Sequence, residues 1–297
     1  MLTSVFTIGI TFITLPIFTR YLSPSDYGIM ALFIIFGQIS CGLLSMGMSS
    51  ATYRYYFSYS EKINDFKILN STNILFNLII FLLFGLFLYF SSSWFSLILF
   101  DGRLDKSIIN LSFISGCINY FCSYFFQILI AQTRSKIFGL ITILGTFIRV
   151  VFIYYFITSH SLTFMALIFS TLISDGIALL FLIISTKEFL TFQFSTKTLK
   201  KSAIYSYPQI PITLVSLTYS SFDKFFLNKY SGFVSIGYYT FGARFANFIK
   251  IIMDSIGKVY TPYFLTRANE NSKKSKIDLI ERFFEMSFMF MLIGLSI

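Results

Sequence analysis

The sequence predicts an all-α polytopic membrane protein, and three observations carry that fold class. Only 12% of the 297 residues are charged and mean hydropathy is +0.75, whereas soluble chains carry about 25% charge. The charges arrive in clusters, and the apolar runs between them match or exceed the roughly 20 residues that cross a bilayer. Those runs are continuous instead of alternating over ten residues, which disfavours a strand-built barrel. With no water to satisfy their backbone groups, they must be helices.

Nine spans follow in order, near 1–19, 28–52, 71–99, 107–132, 137–158, 162–185, 203–222, 236–262 and 283–297. The first two are separated by the polar, proline-bearing turn FTRYLSPSDYG, residues 18–28. The second ends at Arg54, in TYRYY, which reads as an interface anchor at the mouth of any path between the helices. Lys62 and Lys67 precede the third span, Arg103 and Lys106 the fourth, and Arg134 and Lys136 the fifth. The short connection holding His160 precedes the sixth. Lys187, Lys197, Lys200 and Lys201 lie between the sixth and the seventh, in which Pro208 and Pro211 would kink or break the helix. A second polar passage, NKYSGFVSIGYY, separates the seventh from the eighth, and a lysine-rich stretch (273–276) the eighth from the ninth.

Fourteen Lys and Arg fall in the even-numbered connections and five in the odd-numbered ones. Cytoplasmic loops carry the excess of positive charge, so the even connections and the N-terminus are expected on the cytoplasmic side. No cleavable signal peptide is visible at the start. The first and last spans lack flanking polar anchors, so the chain reads as a fragment or truncated product of something longer. Cys41, Cys117 and Cys122 lie inside apolar runs without a CxxC pair, and read as small packing residues. The net charge of +10 is scattered over loops, with no basic domain to hold a nucleic acid.

The two polar passages are copies of one another. Moved 209 positions along the chain, Arg20-Tyr21 falls on Lys229-Tyr230, Gly28 on Gly237 and Phe36 on Phe245. Six helices separate the copies, an even number, so the two halves share one orientation. That is a parallel repeat about an axis along the membrane normal, a design of transporters whose site lies between two lobes. The expected organisation is a six-helix lobe at 1–186, a cytoplasmic linker at 187–202 and a partial second lobe at 203–297.

The candidate charges inside the spans are Arg149, Asp175, Arg244, Lys250, Asp254 and Lys258. Each costs at least about 2.5–3.5 kcal/mol at the bilayer centre, so each should face protein or water. On a helical wheel, Lys258, Asp254 and Lys250 lie about 40°, 80° and 120° to one side of Arg244, along about 21 Å of axis. Two readings stay open for this stripe. Asp254 lies one turn from both lysines and can pair with either, or the stripe lines a water-filled cationic path. Arg149 and Asp175 can likewise form one pair between the fifth and sixth spans. Four cations against two anions favour a phosphate-bearing substrate, because Arg is a good bidentate phosphate ligand. Asn73, Asn77, Asn119, Gln127 and Gln209 read as interhelical hydrogen-bonding groups. The sequence offers no Walker loop, metal-ligand cluster or nucleophile–base constellation, and no cofactor is expected.

With these residues in hand, the chain resembles the Wzx-type flippases, or polysaccharide biosynthesis proteins, of the multidrug/oligosaccharidyl-lipid/polysaccharide exporter superfamily. The stretches that carry the resemblance are LPIFTRYLSPSDYGIMALF and GMSSATYRYYFSYSE in the first half. In the second half they are LKKSAIYSYPQIPITL and FDKFFLNKYSGFVSIGYYTFGARFANFI. The first motif, containing Arg20, Tyr21, Pro24 and Gly28, is the most specific. The resemblance implies a flippase that moves an undecaprenyl-diphosphate-linked oligosaccharide across the bacterial inner membrane by alternating access. The product would serve O-antigen, capsule or exopolysaccharide synthesis. It further implies that Arg149, Arg244, Lys250 and Lys258 line a cationic lumen, with Asp175 and Asp254 as ion-coupling candidates. Membrane lipids, a polysaccharide polymerase and chain-length proteins are the implied partners. A family member ordinarily has about twelve helices, so helices ten to twelve are missing by that pattern. The rivals are an ion-coupled drug exporter, which would want an acidic lumen, and a membrane-embedded glycan polymerase or acyltransferase, which would need a catalytic constellation.

Overall fold

The computed structural model describes residues 6, 9–10, 20–59, 62–100, 105–160, 164–269, 280–285 and 287–288. At 99–100, 159–160, 220, 244–259 and 266–269 the backbone alone is described. Most of the first and ninth spans therefore lies outside the described residues.

Helix α1 (Pro24–Leu44) begins inside the polar passage, four residues before the predicted span. Ser23 is its N-cap: Asp26 N–H donates to Ser23 Oγ at 3.3 Å and Ser23 N–H to Asp26 Oδ2 at 2.8 Å. This reciprocal box satisfies two backbone donors that the first turn would leave orphaned. Pro24 occupies the first turn, where a missing N–H costs nothing. Arg20 and Tyr21 precede the box on the exposed surface.

The second span is not one helix. α1 stops at Leu44, the backbone turns left-handed at Met46 (φ 48) and Gly47 (φ 69), and α2 (Met48–Ser58) starts afresh. An apolar run can contain such a break without any change in composition. α3 (Ile63–Phe100) is longer than predicted, at 38 residues. α4 (Ser107–Ala131), α5 (Ser135–His160) and α6 (Phe164–Thr186) match their spans to within a few residues. The α4–α5 connection is closed by Thr133 at φ 56. Among the described residues, α1, α3, α4, α5 and α6 are long and apolar enough to cross a membrane.

α4 is the centre of this bundle. Tyr124, Phe125, Ile128 and Leu129 are buried against Leu32, Phe33 and Phe36 of α1 and Ile168 and Leu182 of α6. α1 and α4 approach most closely where Gly37 meets Gly116; a Cβ on either would overlap the other helix's backbone.

The expected linker is more ordered than a loop. A 3-10 turn (Lys187–Phe189) follows α6, and α7 (Thr196–Ser206) runs through the predicted linker boundary into what was read as the seventh span. Pro208 is where that span divides, with α8 (Gln209–Asn269) beginning one residue later and Pro211 inside its first turn. The linker is strapped to α3. Asn70 donates to the Phe189 carbonyl at 2.8 Å, and the amides of Thr191 and Ser195 donate to Ser71 and Thr72 at 2.8 and 3.1 Å. Arg134, on the α4–α5 turn, pairs with Glu188 at 2.5 Å.

The second polar passage is likewise not a loop. α8 is two arms, 209–231 and 233–269, joined at the single residue Gly232 (φ 75, ψ −177). Helix runs up to Ser231 and resumes at Phe233. Gly232 stands 209 positions after Ser23, the N-cap of α1, so both copies of the motif break at the same place.

Candidate functional site

α1 packs along α8, and the tightest approach joins the two copies of the motif. A Cβ at Gly28 would overlap the carbonyl oxygen of Phe233 and lie 3.1 Å from its Cα. A Cβ at Gly237 would overlap the carbonyl oxygen of Pro24 and lie 3.1 Å from its Cα. The contact is reciprocal, and it gives the motif glycine a physical reason: only a residue without a side chain lets the backbones approach this closely. Tyr27, in the same turn of α1, is buried against Ile153 of α5 and Leu167 of α6. Farther along, Gly42 meets the Leu217 side chain, so α1 also lies against the first arm of α8.

Of the charged positions, Arg149 and Asp175 are joined. The guanidinium of Arg149 donates to Asp175 Oδ1 at 2.5 Å and through Nε to Ser174 Oγ at 3.1 Å. The Asp175 side chain is 12% exposed and that of Arg149 42%. The pair thus bridges α5 and α6 with the carboxylate inward and the guanidinium half open. Asp175 Oδ2 is buried with no hydrogen-bond partner.

The side chains of Arg244, Lys250, Asp254 and Lys258 lie outside the described residues. Their backbone is helical throughout, within the second arm of α8, so the wheel spacing read from the sequence applies to them. Pro262, one turn beyond Lys258, lacks the N–H that would bond the Lys258 carbonyl. Arg54 is half-buried on α2 and, among the described residues, pairs with no carboxylate.

Two charges escaped the sequence reading. Asp223 and Lys224 were placed in a loop, but they lie within the first arm of α8, about 12 Å before its end at 1.5 Å per residue. The Lys224 Nζ is 3.9 Å from Asp223 Oδ1 and 5.8 Å from the Tyr239 ring on the second arm. The signal available was the apolar flank on both sides of FDKFFLNKY.

Inside the bundle a polar network links α2, α3 and α4. Tyr124 O–H lies 2.8 Å from both Thr52 Oγ1 and Asn70 Oδ1. Asn73 donates to Thr52 at 2.9 Å and Asn77 to Tyr120 at 2.6 Å. Asn73 and Asn77 therefore make the interhelical bonds expected of them. Cys41 and Cys122 are buried, and Cys41 Sγ lies 3.4 Å from Cys117 Sγ.

Comparison with known proteins gives both a family and a fold. The family model described as polysaccharide biosynthesis protein matches residues 1–266. Among solved structures, the fold is similar to a mutant of the Vibrio cholerae MATE transporter VcmN. That likeness has a TM-score of 0.69 and 14% identity, over 99% of this chain and 69% of that one. It is also similar to a second chain named protein A, with a TM-score of 0.67 and 14% identity over 98% and 68%. No curated protein matches by sequence.

Proposed function

Because the chain belongs to the polysaccharide biosynthesis protein family, a family of multi-pass membrane exporters, we propose that it is a flippase for a lipid-linked oligosaccharide. The bacterial inner membrane, with the N-terminus cytoplasmic, is the setting that its lysine and arginine distribution supports. One observation carries the reading furthest: an uninterrupted helix from 233 to 269 holds Arg244, Lys250, Asp254 and Lys258 within one arc of about 120°. The cations of that arc hold the diphosphate, polar and aromatic side chains accommodate the sugars, and the polyprenyl tail stays in lipid. Arg149 joins them as a half-open guanidinium whose charge is shared with Asp175. Asp175 and Asp254 are the carboxylates available for ion coupling. The lobe boundaries proposed are 1–186 and 203–297, with 187–202 between them.

Rocking of the two lobes about the contact of Gly28 with Phe233 and Gly237 with Pro24 moves the headgroup outward. The polymerase and chain-length proteins of a polysaccharide pathway then receive the product. No step in this reading is catalytic, and none calls on a cofactor.

Arg244→Glu tests it. The variant is expected to insert normally, measured by membrane fractionation, and to abolish glycan export in cells that depend on this chain. Normal export by that variant would sink the lumen assignment. A small-molecule exporter on the same scaffold is the second reading, favoured by the likeness to a MATE transporter. Under it, Arg244→Glu changes drug resistance and leaves glycan export alone.

A further inference from the structure

We propose that the cavity under the linker helix binds a phosphate group carried on a membrane lipid. It is a site separate from the charged arc of α8. The cavity, about 600 Å³, is bounded by the end of α2, the first turns of α3, the linker and α7. Its polar lining is Tyr59, Asp65, Gln193, Ser195, Lys197, Thr198 and Lys201. That volume suits a lipid headgroup, and falls within the usual range for small-ligand sites of about 300–1,000 Å³.

The cation in this cavity is held ready. Lys201 Nζ stands 4.7 Å from the ring centroid of Tyr55 and 4.6 Å from that of Tyr59, and it donates to Tyr59 O–H at 2.7 Å. Two ring faces fix an ammonium through their quadrupoles. Of its three donors one is used, and among the described residues no carboxylate pairs with it. Lys197 lies four residues earlier on α7, on the same face. Two lysines outweigh the single carboxylate of Asp65, so the cavity favours an anion.

The position favours a lipid as its carrier. α3 has 38 residues, about 57 Å at 1.5 Å per residue, against a hydrocarbon core of about 30 Å. Asp65 and Lys67 are in its first turns, so this end stands at headgroup level. Phe192, fully exposed, and Phe194 and Tyr207, also exposed, lie on the linker and the end of α7. Aromatic side chains so placed mark a membrane–water boundary. The anion that a bilayer presents at that depth is a lipid phosphate. Two lipids offer it: a bulk anionic phospholipid, and a polyprenyl diphosphate waiting to enter the carrier.

Native mass spectrometry of the full chain in mild detergent tests this, with phosphatidylglycerol, phosphatidylcholine, farnesyl diphosphate and inorganic pyrophosphate as probes. Wild type is expected to retain phosphatidylglycerol or farnesyl diphosphate over phosphatidylcholine. Preference for the first assigns the site to bulk lipid, and for the second to substrate. The Lys197→Gln/Lys201→Gln variant is expected to lower that retention about tenfold. Asp65→Asn is expected to raise it, a gain that a folding defect cannot imitate. Retention that survives Arg244→Glu but falls in the double lysine variant belongs to this cavity, whereas retention lost in Arg244→Glu and kept in the double lysine variant belongs to the proposed lumen and overturns the proposal. Equal retention by wild type, the double lysine variant and Asp65→Asn would overturn the proposal, as would binding of inorganic pyrophosphate with no preference between the lipids.

Discussion

Gly28 and Gly237 play the same part in two copies of one contact. Gly28 rests on the backbone of Phe233 and Gly237 on the backbone of Pro24, and each partner stands 209 positions from its counterpart, as the glycines themselves do. The interface is therefore self-complementary between two segments of a single chain. A repeat detected from a handful of sequence matches has become a repeat in packing.

The first prediction concerns that contact. Gly28→Ala and Gly237→Ala each place a methyl group on a carbonyl that cannot move without its helix. Each should cost about 1–3 kcal/mol, the usual penalty for overpacking. Because the two residues share one interface, the double variant should cost less than the sum of the singles. Gly242→Ala, which meets nothing within 4 Å, is the control and should leave the melting temperature in detergent unchanged or raise it slightly, since Ala is the better helix former.

Arg149 and Asp175 should show strong coupling in a double-mutant cycle. Removing Arg149 leaves a carboxylate only 12% exposed without its counter-charge. Breaking a fully buried pair costs about 3–5 kcal/mol; the half-exposed guanidinium lowers the figure here to about half of that. Arg149→Ala should therefore destabilise more than the Arg149→Ala/Asp175→Ala double variant, read by thermal melting.

Tyr124→Phe should cost about 1–3 kcal/mol, the desolvation penalty of buried groups left unpaired. It removes the hydroxyl that Thr52 and Asn70 share while leaving the ring in place. A melting temperature equal to wild type would mean that the network is satisfied without it.

Arg134→Ala should do little by comparison. The Arg134–Glu188 side chains are 39% and 48% exposed, and exposed pairs contribute at most about 1 kcal/mol. Its small effect should also shrink as salt is raised from 10 mM to 1 M. The backbone bonds from α3 to the linker are expected to hold α7 in place without it.

Much of this was legible in the sequence. Apolar length located α3 to α6, because a bilayer imposes one requirement on all of them. The polar passage at 18–28 was visible because its charges and proline interrupt two apolar runs, but the Ser23 cap that starts the helix four residues earlier than the predicted span was not. What stayed hidden depended on single residues or on distant neighbours. The break at Met46–Gly47 turns on two positive φ angles and the junction at Gly232 on one, which leaves the composition of the run unchanged. Asp223 and Lys224 read as a loop because charge normally marks water, yet here the helix satisfies their backbone. The Arg149–Asp175 pair was foreseen only as one of two readings, since spacing along two helices does not fix which faces meet. The lysine cavity needed three segments brought together from 59, 65 and 193–201, which no periodicity announces.

The seam between Gly28 and Gly237 also leaves no space for water between the two backbones. With a carbonyl filling the space where each side chain would be, a file of water molecules has no room to thread between the helices at that level, and protons have no wire to follow.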